Sequence, residues 1–206
     1  TSTLTIGHST AGAGNVALSI SSSATLTYTA SDAVINLIST SATQQTITTG
    51  GKTISNMTIN GAGSSYILTG NLTMTTGSTL TVSAGTFNTD NYDISGNIFN
   101  SSGSATRTLT LGSSAITLVR NGTAMSFAAT GLTVTANTAI ITPTATATIS
   151  TSSVNMNGTS VVFAGAGMVT LASSGGTWKD VTRTGTAAKT DGLIVAGTFT
   201  ATGTFT

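Results

Sequence analysis

The chain has 206 residues, of which 38% are hydrophobic and only 5% are charged, and its formal net charge is +1. Its six scattered Lys and Arg residues are too few to neutralise a run of phosphates, which argues against nucleic acid as a partner. Cysteine is absent, so neither disulfides nor thiolate metal sites can form. No segment has the apolar length of a membrane span, and we expect no membrane insertion.

Short runs of alternating apolar and polar residues follow one another along the whole chain. Because successive side chains on a strand point to opposite faces, each run predicts a β-strand with aliphatic residues inward and Thr or Ser outward. Roughly a quarter of the residues are Thr, which suits a solvated strand face. The predicted strands, in chain order, are Thr1–Ile6, Val16–Ile20, Thr25–Thr29, Val34–Ile38, Thr46–Thr48, Thr53–Ile59, Tyr66–Leu68, Leu72–Thr75, Thr79–Val82, Thr108–Leu111, Ala115–Val119, Leu132–Thr135, Val161–Phe163, Met168–Leu171, Leu193–Val195 and Thr198–Thr206.

Turn residues separate these runs. Asn-Gly and Asp-Gly pairs are the strongest turn signals, and they occur at Asn60–Gly61, Asn121–Gly122, Asn157–Gly158 and Asp191–Gly192. The single proline, Pro143, is expected at a strand end or a corner, because it has no N–H to donate to a ladder.

Strands recurring about every 7 to 12 residues are typical of an all-β sandwich, barrel or solenoid. Segments 53–61 and 177–185 are similar to each other and lie roughly 125 residues apart, while the Thr-Leu-Thr patterns at Thr3 and Thr108 lie roughly 105 apart. The difference is about one coil of a solenoid. We therefore predict a single right-handed parallel β-helix (β-solenoid) over residues 1–206, with about 8 to 10 coils and a length of about 40 to 50 Å. The alternative is one or two antiparallel β-sandwich domains.

Both ends of the chain are in full strand pattern. Thr1–Ile6 and Thr198–Thr206 have no polar capping segment, whereas terminal repeats of a solenoid normally need a cap. Uncovered strand edges invite pairing with another chain. We expect self-association or end-to-end stacking, with other copies or with the rest of a longer chain.

The chain resembles the Gly/Ser/Thr-rich right-handed parallel β-helix repeats of bacteriophage virion proteins (fibres and appendages) and bacterial surface adhesins. The resemblance is carried by residues 55–59 with 70–73, by residues 79–87, and above all by residues 106–113 followed by Ile116-Thr-Leu. It implies a parallel β-helix in an extracellular, cell-surface or virion location. Enzymatic members of this group carry clustered acidic residues on one face of the helix, and no such cluster is evident here.

No catalytic, cofactor or metal residue set stands out. The closest carboxylate pair, Asp90 and Asp93, could act as acid and base or coordinate Ca²⁺, but a polar turn between coils is the favoured interpretation. His8 next to Ser9 resembles part of a nucleophile elbow, yet a serine hydrolase needs its His from elsewhere in the fold. We therefore expect no enzyme activity and no cofactor.

Three aromatic residues are candidates for surface contact with a cell-surface glycan: Tyr66, Tyr92 and Trp178. An exposed row of them would favour a glycan-binding adhesin. For Trp178 a core or corner position is the favoured alternative. Met57, Met74 and Met168 are expected in the core.

The predicted function is structural: a rigid spacer or scaffold segment of an extracellular or virion fibre or filament, with adhesion as an additional role. Three alternatives stay open. They are a glycan-binding adhesin module, a polysaccharide-cleaving β-helix enzyme that would need Asp90, Asp93 and a base in one groove, and an ice-binding protein. Paired outward threonines occur in ice-binding solenoids, but the pairs here, such as Thr108/Thr110, are irregularly spaced in the sequence.

Overall fold

The computed structural model describes residues 3–6, 16–25, 33–135, 137–184, 193–197 and 199–206. Within these ranges the chain forms β-strands and no helix. The strands are β1 (Thr3–Ile6), β2 (Val16–Ser19), β3 (Val34–Leu37), β4 (Gln45–Thr48), β5 (Thr53–Ile54), β6 (Asn56–Leu68), β7 (Leu72–Met74), β8 (Thr79–Asn88), β9 (Ile94–Gly96), β10 (Ile98–Ser101), β11 (Arg107–Thr110), β12 (Ala115–Leu118), β13 (Gly122–Ala128), β14 (Leu132–Val134), β15 (Ile140–Pro143), β16 (Ala147–Ser152), β17 (Ser160–Phe163), β18 (Val169–Ala172), β19 (Gly176–Trp178), β20 (Val181–Arg183), β21 (Leu193–Ala196) and β22 (Phe199–Ala201).

The strands form three faces of a parallel β-solenoid, and every strand pair among the described residues is parallel. The first face follows the order β1-β3-β6-β8-β10-β13-β16-β18-β21. The second contains β2, β4, the later halves of β6 and β8, β11 and β14, and β19 and β22 occupy the same place in their coils. The third is β5-β7-β9-β12-β15-β17-β20. This arrangement confirms the solenoid and rules out the antiparallel sandwich, whose sheets are built from antiparallel neighbours.

The solenoid makes about seven turns, fewer than the 8 to 10 expected. The turns run from β3 to β21, and one turn takes from 19 residues (Leu80 to Phe99) to 26 residues (Phe99 to Met125). Coils of this length are longer on average than the sequence repeat suggested, because the corners between faces hold extra residues. At about 4.8 Å per coil the stack is about 34 Å long.

The core is a set of apolar columns that run along the solenoid, because the parallel register places equivalent residues of successive coils directly over one another. One column on the first face consists of Ile35, Met57, Leu80, Phe99, Met125, Ile149 and Leu171, all buried. Phe99 also makes edge-to-face contacts with Phe87 and Phe127, with ring centroids 6.5 and 5.0 Å apart. Each fully buried side chain of this size contributes about 1.5 to 3 kcal/mol.

Two long strands, β6 and β8, bend from the first face to the second. Their mutual register is broken between Asn60 and Ser65. At this corner Gly85 has φ +82°, and a Cβ there would lie 2.2 Å from the carbonyl oxygen of Gly61, so only glycine fits. The predicted turn at Asn60–Gly61 is wrong, because both residues lie inside β6.

The other local predictions have mixed outcomes. Asn157–Gly158 does form a turn, with positive φ at both residues, and Pro143 is the last residue of β15, as expected. Met57 and Met74 are buried, but Met168 is 46% exposed, because it precedes β18 instead of opening it. Most of the predicted strand Thr25–Thr29, residue Thr198, the turn at Asp191–Gly192 and the pair His8–Ser9 lie outside the described residues.

The long sequence similarity does not relate equivalent positions. Met57 lies on the first face, whereas Val181, its counterpart in the second copy, begins β20 on the third. Likewise Thr3 is on the first face and Thr108 on the second. The variable coil length shifts the copies by one face. The repeated pattern therefore reflects the residue composition that is typical of strands, and it does not mark a structural repeat.

A buried arginine closes one corner of the solenoid. Arg107, at the start of β11, is fully buried. Its Nε donates to Ser101 Oγ, and Nη1 and Nη2 donate to the carbonyl oxygens of residues 101, 105, 128 and 130 at 2.7 to 3.1 Å. Burial lowers the pKa of the guanidinium, which nevertheless stays charged at neutral pH. Its charge is thus compensated by carbonyl dipoles from two successive coils.

Side chains of Asn and Asp also join successive coils. Asn71 Oδ1 accepts from the N–H of Asp93 at 3.0 Å, and Asp93 Oδ1 accepts from the N–H of Ala115 at 2.9 Å. At the far end of the same row Asp180 Oδ1 accepts from the N–H of Thr204, and its Oδ2 accepts from Ser160 Oγ. These bonds run along the solenoid axis, parallel to the backbone ladders, and they satisfy amides at corners.

The Asp180 contacts predict an acid-dependent loss of stability. The hydrogen bond from Thr204, followed by that from Ser160, holds the pKa of Asp180 below its usual value. A carboxylate whose folded pKa is lowered stabilises the protein above its unfolded pKa of about 3.9, and that contribution is lost as the pH falls through the folded pKa. We expect Asp180→Asn to lose less thermal stability than wild type between about pH 5 and pH 2. Equal acid-induced changes in melting temperature in the two proteins would contradict this role.

Candidate functional site

Two of the three aromatic residues predicted at the surface are in the core. Tyr66 lies on the second face in one column with Phe87, Leu109 and Val134 and is fully buried. Trp178, in β19, is 1% exposed. The prediction that these two residues make surface contacts is therefore wrong, and the core position considered for Trp178 is confirmed. Burial also raises the pKa of the Tyr66 phenol, which lies beside Ser39 and Ser64.

Tyr92 is the one of the three that reaches solvent, with 37% of its surface exposed. It ends a tight turn in which its N–H donates to the carbonyl oxygen of Thr89 at 2.9 Å. The two central residues, Asp90 and Asn91, have φ of 51° and 67°, as in a type I′ turn. Ser114 Oγ of the next coil donates to the Tyr92 carbonyl oxygen at 2.6 Å. The turn is thus held in place and presents the ring at the corner between the second and third faces.

A shallow depression of about 390 Å³ lies beside the Tyr92 ring. Its lining is polar and uncharged, consisting of Thr48, Thr49, Gly50, Gly51, Thr69, Gly70, Asn71 and Thr73 together with Tyr92. Thr48 and Thr69 share a hydrogen bond of 2.6 Å between their hydroxyls. A hydroxyl can make further hydrogen bonds beyond one of this kind, so the depression can offer both donors and acceptors to a ligand.

A second depression, of about 260 Å³, continues the first along the third face. The two share Asn71 and Thr73. The second is lined further by Leu72, Asp93, Ile94, Ser95, Ala115 and Thr117. The two adjoining depressions, which we together call the Tyr92 groove, are lined by residues of four successive coils.

The carboxylate pair considered for catalysis does not converge in this groove. Asp93 lines the second depression, but its Oδ1 accepts from the N–H of Ala115. Asp90 lines neither depression and lies at the tip of the turn with positive φ. Two carboxyl groups must flank a glycosidic bond for the usual hydrolytic mechanism. The structure places Asp90 in the turn that the sequence favoured and Asp93 directly after it.

Among the residues that the structure describes, no group of three or more His, Asp or Glu side chains could hold a metal ion. The same residues contain no helix long and apolar enough to cross a membrane.

The third face carries a row of outward hydroxyl side chains. Their spacing in the sequence is irregular, but the register aligns them because the corners absorb the differences in coil length. The row consists of Thr53, Thr73, Ser95, Thr117 and Thr142. The adjacent outward row is mixed in character and contains Asp93, Ala115, Ile140 and Ser160. This face therefore has a single rank of hydroxyls and no paired rank, whereas the pair Thr108/Thr110 lies on the second face.

Sequence reasoning found Tyr92 but not its groove. The missing part lies in residues 48–51 and 69–73, which are far from Tyr92 in the sequence and reach it only through coil stacking. No family model matches the chain, and neither does any curated protein or solved structure.

Proposed function

We propose that the chain is a rigid structural segment of an extracellular, cell-surface or virion fibre or filament, and that it also carries an adhesive surface. The observation that carries the mechanical part is the set of three parallel sheets around one unbroken apolar core. In such a solenoid each coil contacts mainly its neighbours, so length can be added coil by coil without redesign of the core.

The direction of the hydrogen bonds supports a mechanical role. Ladder bonds on all three faces run along the solenoid axis, from each coil to the next. Asp93, Asp180 and Arg107 add side-chain bonds in the same direction. A load applied along the axis is therefore shared by the backbone ladders of the three faces wherever their strands pair, and this suits a spacer.

Apolar side chains at the two ends of the described stack support continuation into further coils. Leu4 lies over the core residue Ile35 and Phe205 over the core residue Val181, yet each is 54% exposed. Each has the inward orientation of the column that it ends. We propose that further coils, from another copy or from elsewhere in a longer chain, stack on these positions.

Electron cryo-microscopy of the particle or filament that contains the protein tests the proposal. The expected result is a rod of coils about 4.8 Å apart that runs without interruption into neighbouring density. Discrete particles, with no attachment to a filament or surface, would overturn the mechanical role.

Stacking between copies has a separate cross-linking test. Thr3 and Ile194 occupy the same outward row of the first face, so end-to-end stacking would place them about one coil spacing apart, within disulfide reach. The chain has no cysteine of its own. We expect Thr3→Cys/Ile194→Cys to form a ladder of disulfide-linked multimers on oxidation, and the control Thr117→Cys/Ile194→Cys to form none. Monomers alone in both would show that copies do not stack in this way.

A further inference from the structure

We propose that the Tyr92 groove binds a neutral oligosaccharide, with a pyranose ring stacked on Tyr92. This inference rests on the adhesive part of the proposed function and is independent of the mechanical part. A fibre can be rigid without this site, and the two proposals fail in different experiments.

The aromatic wall of the groove is preformed. Tyr92 is held from both sides, through its N–H to Thr89 and through its carbonyl oxygen to Ser114. Its ring is therefore presented to solvent by a fixed turn rather than by a free loop. The apolar C–H face of a pyranose gains from contact with such a ring, and little conformational freedom is lost when a ligand binds to a rigid site.

The hydrogen-bonding wall is also suited to a sugar. Thr69, Asn71 and Thr73 are exposed and line the same depression as Tyr92. Hydroxyl and amide groups act as both donors and acceptors, as do the hydroxyls of a pyranose. The depression is open and shallow, so it fits a chain that lies along the surface better than a small molecule that must be enclosed.

The charge of the groove selects the class of ligand. No Lys, Arg, Asp or Glu lines the depression beside Tyr92, and the second depression adds the carboxylate of Asp93. A uronic or sialic acid would find no cation among the lining residues and would be repelled by Asp93. A neutral sugar needs no cation and is not repelled by Asp93.

The length of the groove indicates more than one sugar unit. The two depressions share Asn71 and Thr73 and cross successive coils spaced about 4.8 Å apart, a spacing similar to the length of one linked pyranose. About three units fit along the three coil steps of the groove.

Binding of defined trisaccharides to the purified chain tests the proposal. The neutral probes are maltotriose, cellotriose and triacetylchitotriose, and the acidic probe is trigalacturonate, each titrated to millimolar concentration and followed by saturation-transfer NMR and calorimetry. We expect at least one neutral probe to bind and trigalacturonate not to bind. No binding by any neutral probe, or equal binding of trigalacturonate, would overturn the proposal.

Variants distinguish binding at this site from non-specific binding. Tyr92→Ser is expected to weaken binding about tenfold, because it removes the stacking surface, whereas Tyr92→Phe keeps it. Val119→Ala changes a residue that is 44% exposed and lines neither depression, and it should bind like wild type. All three should melt like wild type, because neither side chain belongs to the core. Unchanged affinity in Tyr92→Ser would place any binding elsewhere.

Discussion

Replacing Leu109 with aspartate is expected to unfold the chain. Leu109 is fully buried and stacks between Phe87 of the preceding coil and Val134 of the following one. Loss of the leucine creates a cavity, and the carboxylate is placed in an apolar column. The inward neighbour Arg107 already donates to five oxygen acceptors and is held at its corner by them. The combined cost is about 5 kcal/mol or more, which is comparable to the total stability of many domains.

Thermal unfolding followed by circular dichroism measures this effect. The matched control is Thr108→Asp, because Thr108 is the adjacent residue of β11 and points outward. We expect Thr108→Asp to melt close to wild type and Leu109→Asp to lack a cooperative transition. The same melting curve for both variants would mean that the inward and outward positions of β11 are wrongly assigned.

Replacing Arg107 with methionine is expected to cost about 3 kcal/mol. Methionine fills similar space, but five hydrogen bonds are lost, and the acceptors at Ser101, Ala105, Ala128 and Thr130 lose their charged donor. For a chain of this size the loss corresponds to a fall in melting temperature of about 6 to 12 °C.

The matched control for this prediction is Arg120→Met. Arg120 is exposed, so removal of its charge should change the melting temperature little. Arg107→Lys should recover only part of the stability, because an ammonium group cannot reproduce the planar set of donors. If Arg107→Met melts like wild type, the guanidinium does not hold this corner.

The alternation of side chains was sufficient to predict the direction of most core residues and most of the strands. The strands that were not predicted are β9, β10, β13, β15, β16, β19 and β20. Leu109, Met57 and Met74 are buried as the two-residue period requires. The period fails at Met168, which lies one residue outside its strand, since strand ends depend on corners rather than on alternation. Strands with few large apolar residues, such as β16 with the sequence Ala-Thr-Ile-Ser-Thr-Ser, were missed because their apolar pattern is weak.

The corners account for what could not be predicted. Arg107 is a charged residue in the middle of a strand-like pattern, and its burial depends on carbonyl groups of residues 101 to 130 that meet only after two coils have stacked. Corner length also determines which face a strand joins. The similar segments 53–61 and 177–185 therefore lie on different faces.

The candidate site, like the fold, could be predicted from the sequence only in part. The exposure of Tyr92 follows from its position in a polar Asp-Asn turn, which the sequence displays. The groove beside it combines residues from neighbouring coils, and only the register brings them together.

Distance measurements between paired spin labels test the stacked-coil account most directly. The absence of cysteine allows labels at introduced cysteines alone, on the outward row of the third face. Thr53 and Thr142 are four coil steps apart, and Thr53 and Thr182 are six. The predicted backbone separations are about 19 Å and about 29 Å, because each step adds about 4.8 Å. Separations that do not increase with the number of coils between the labels would contradict the solenoid.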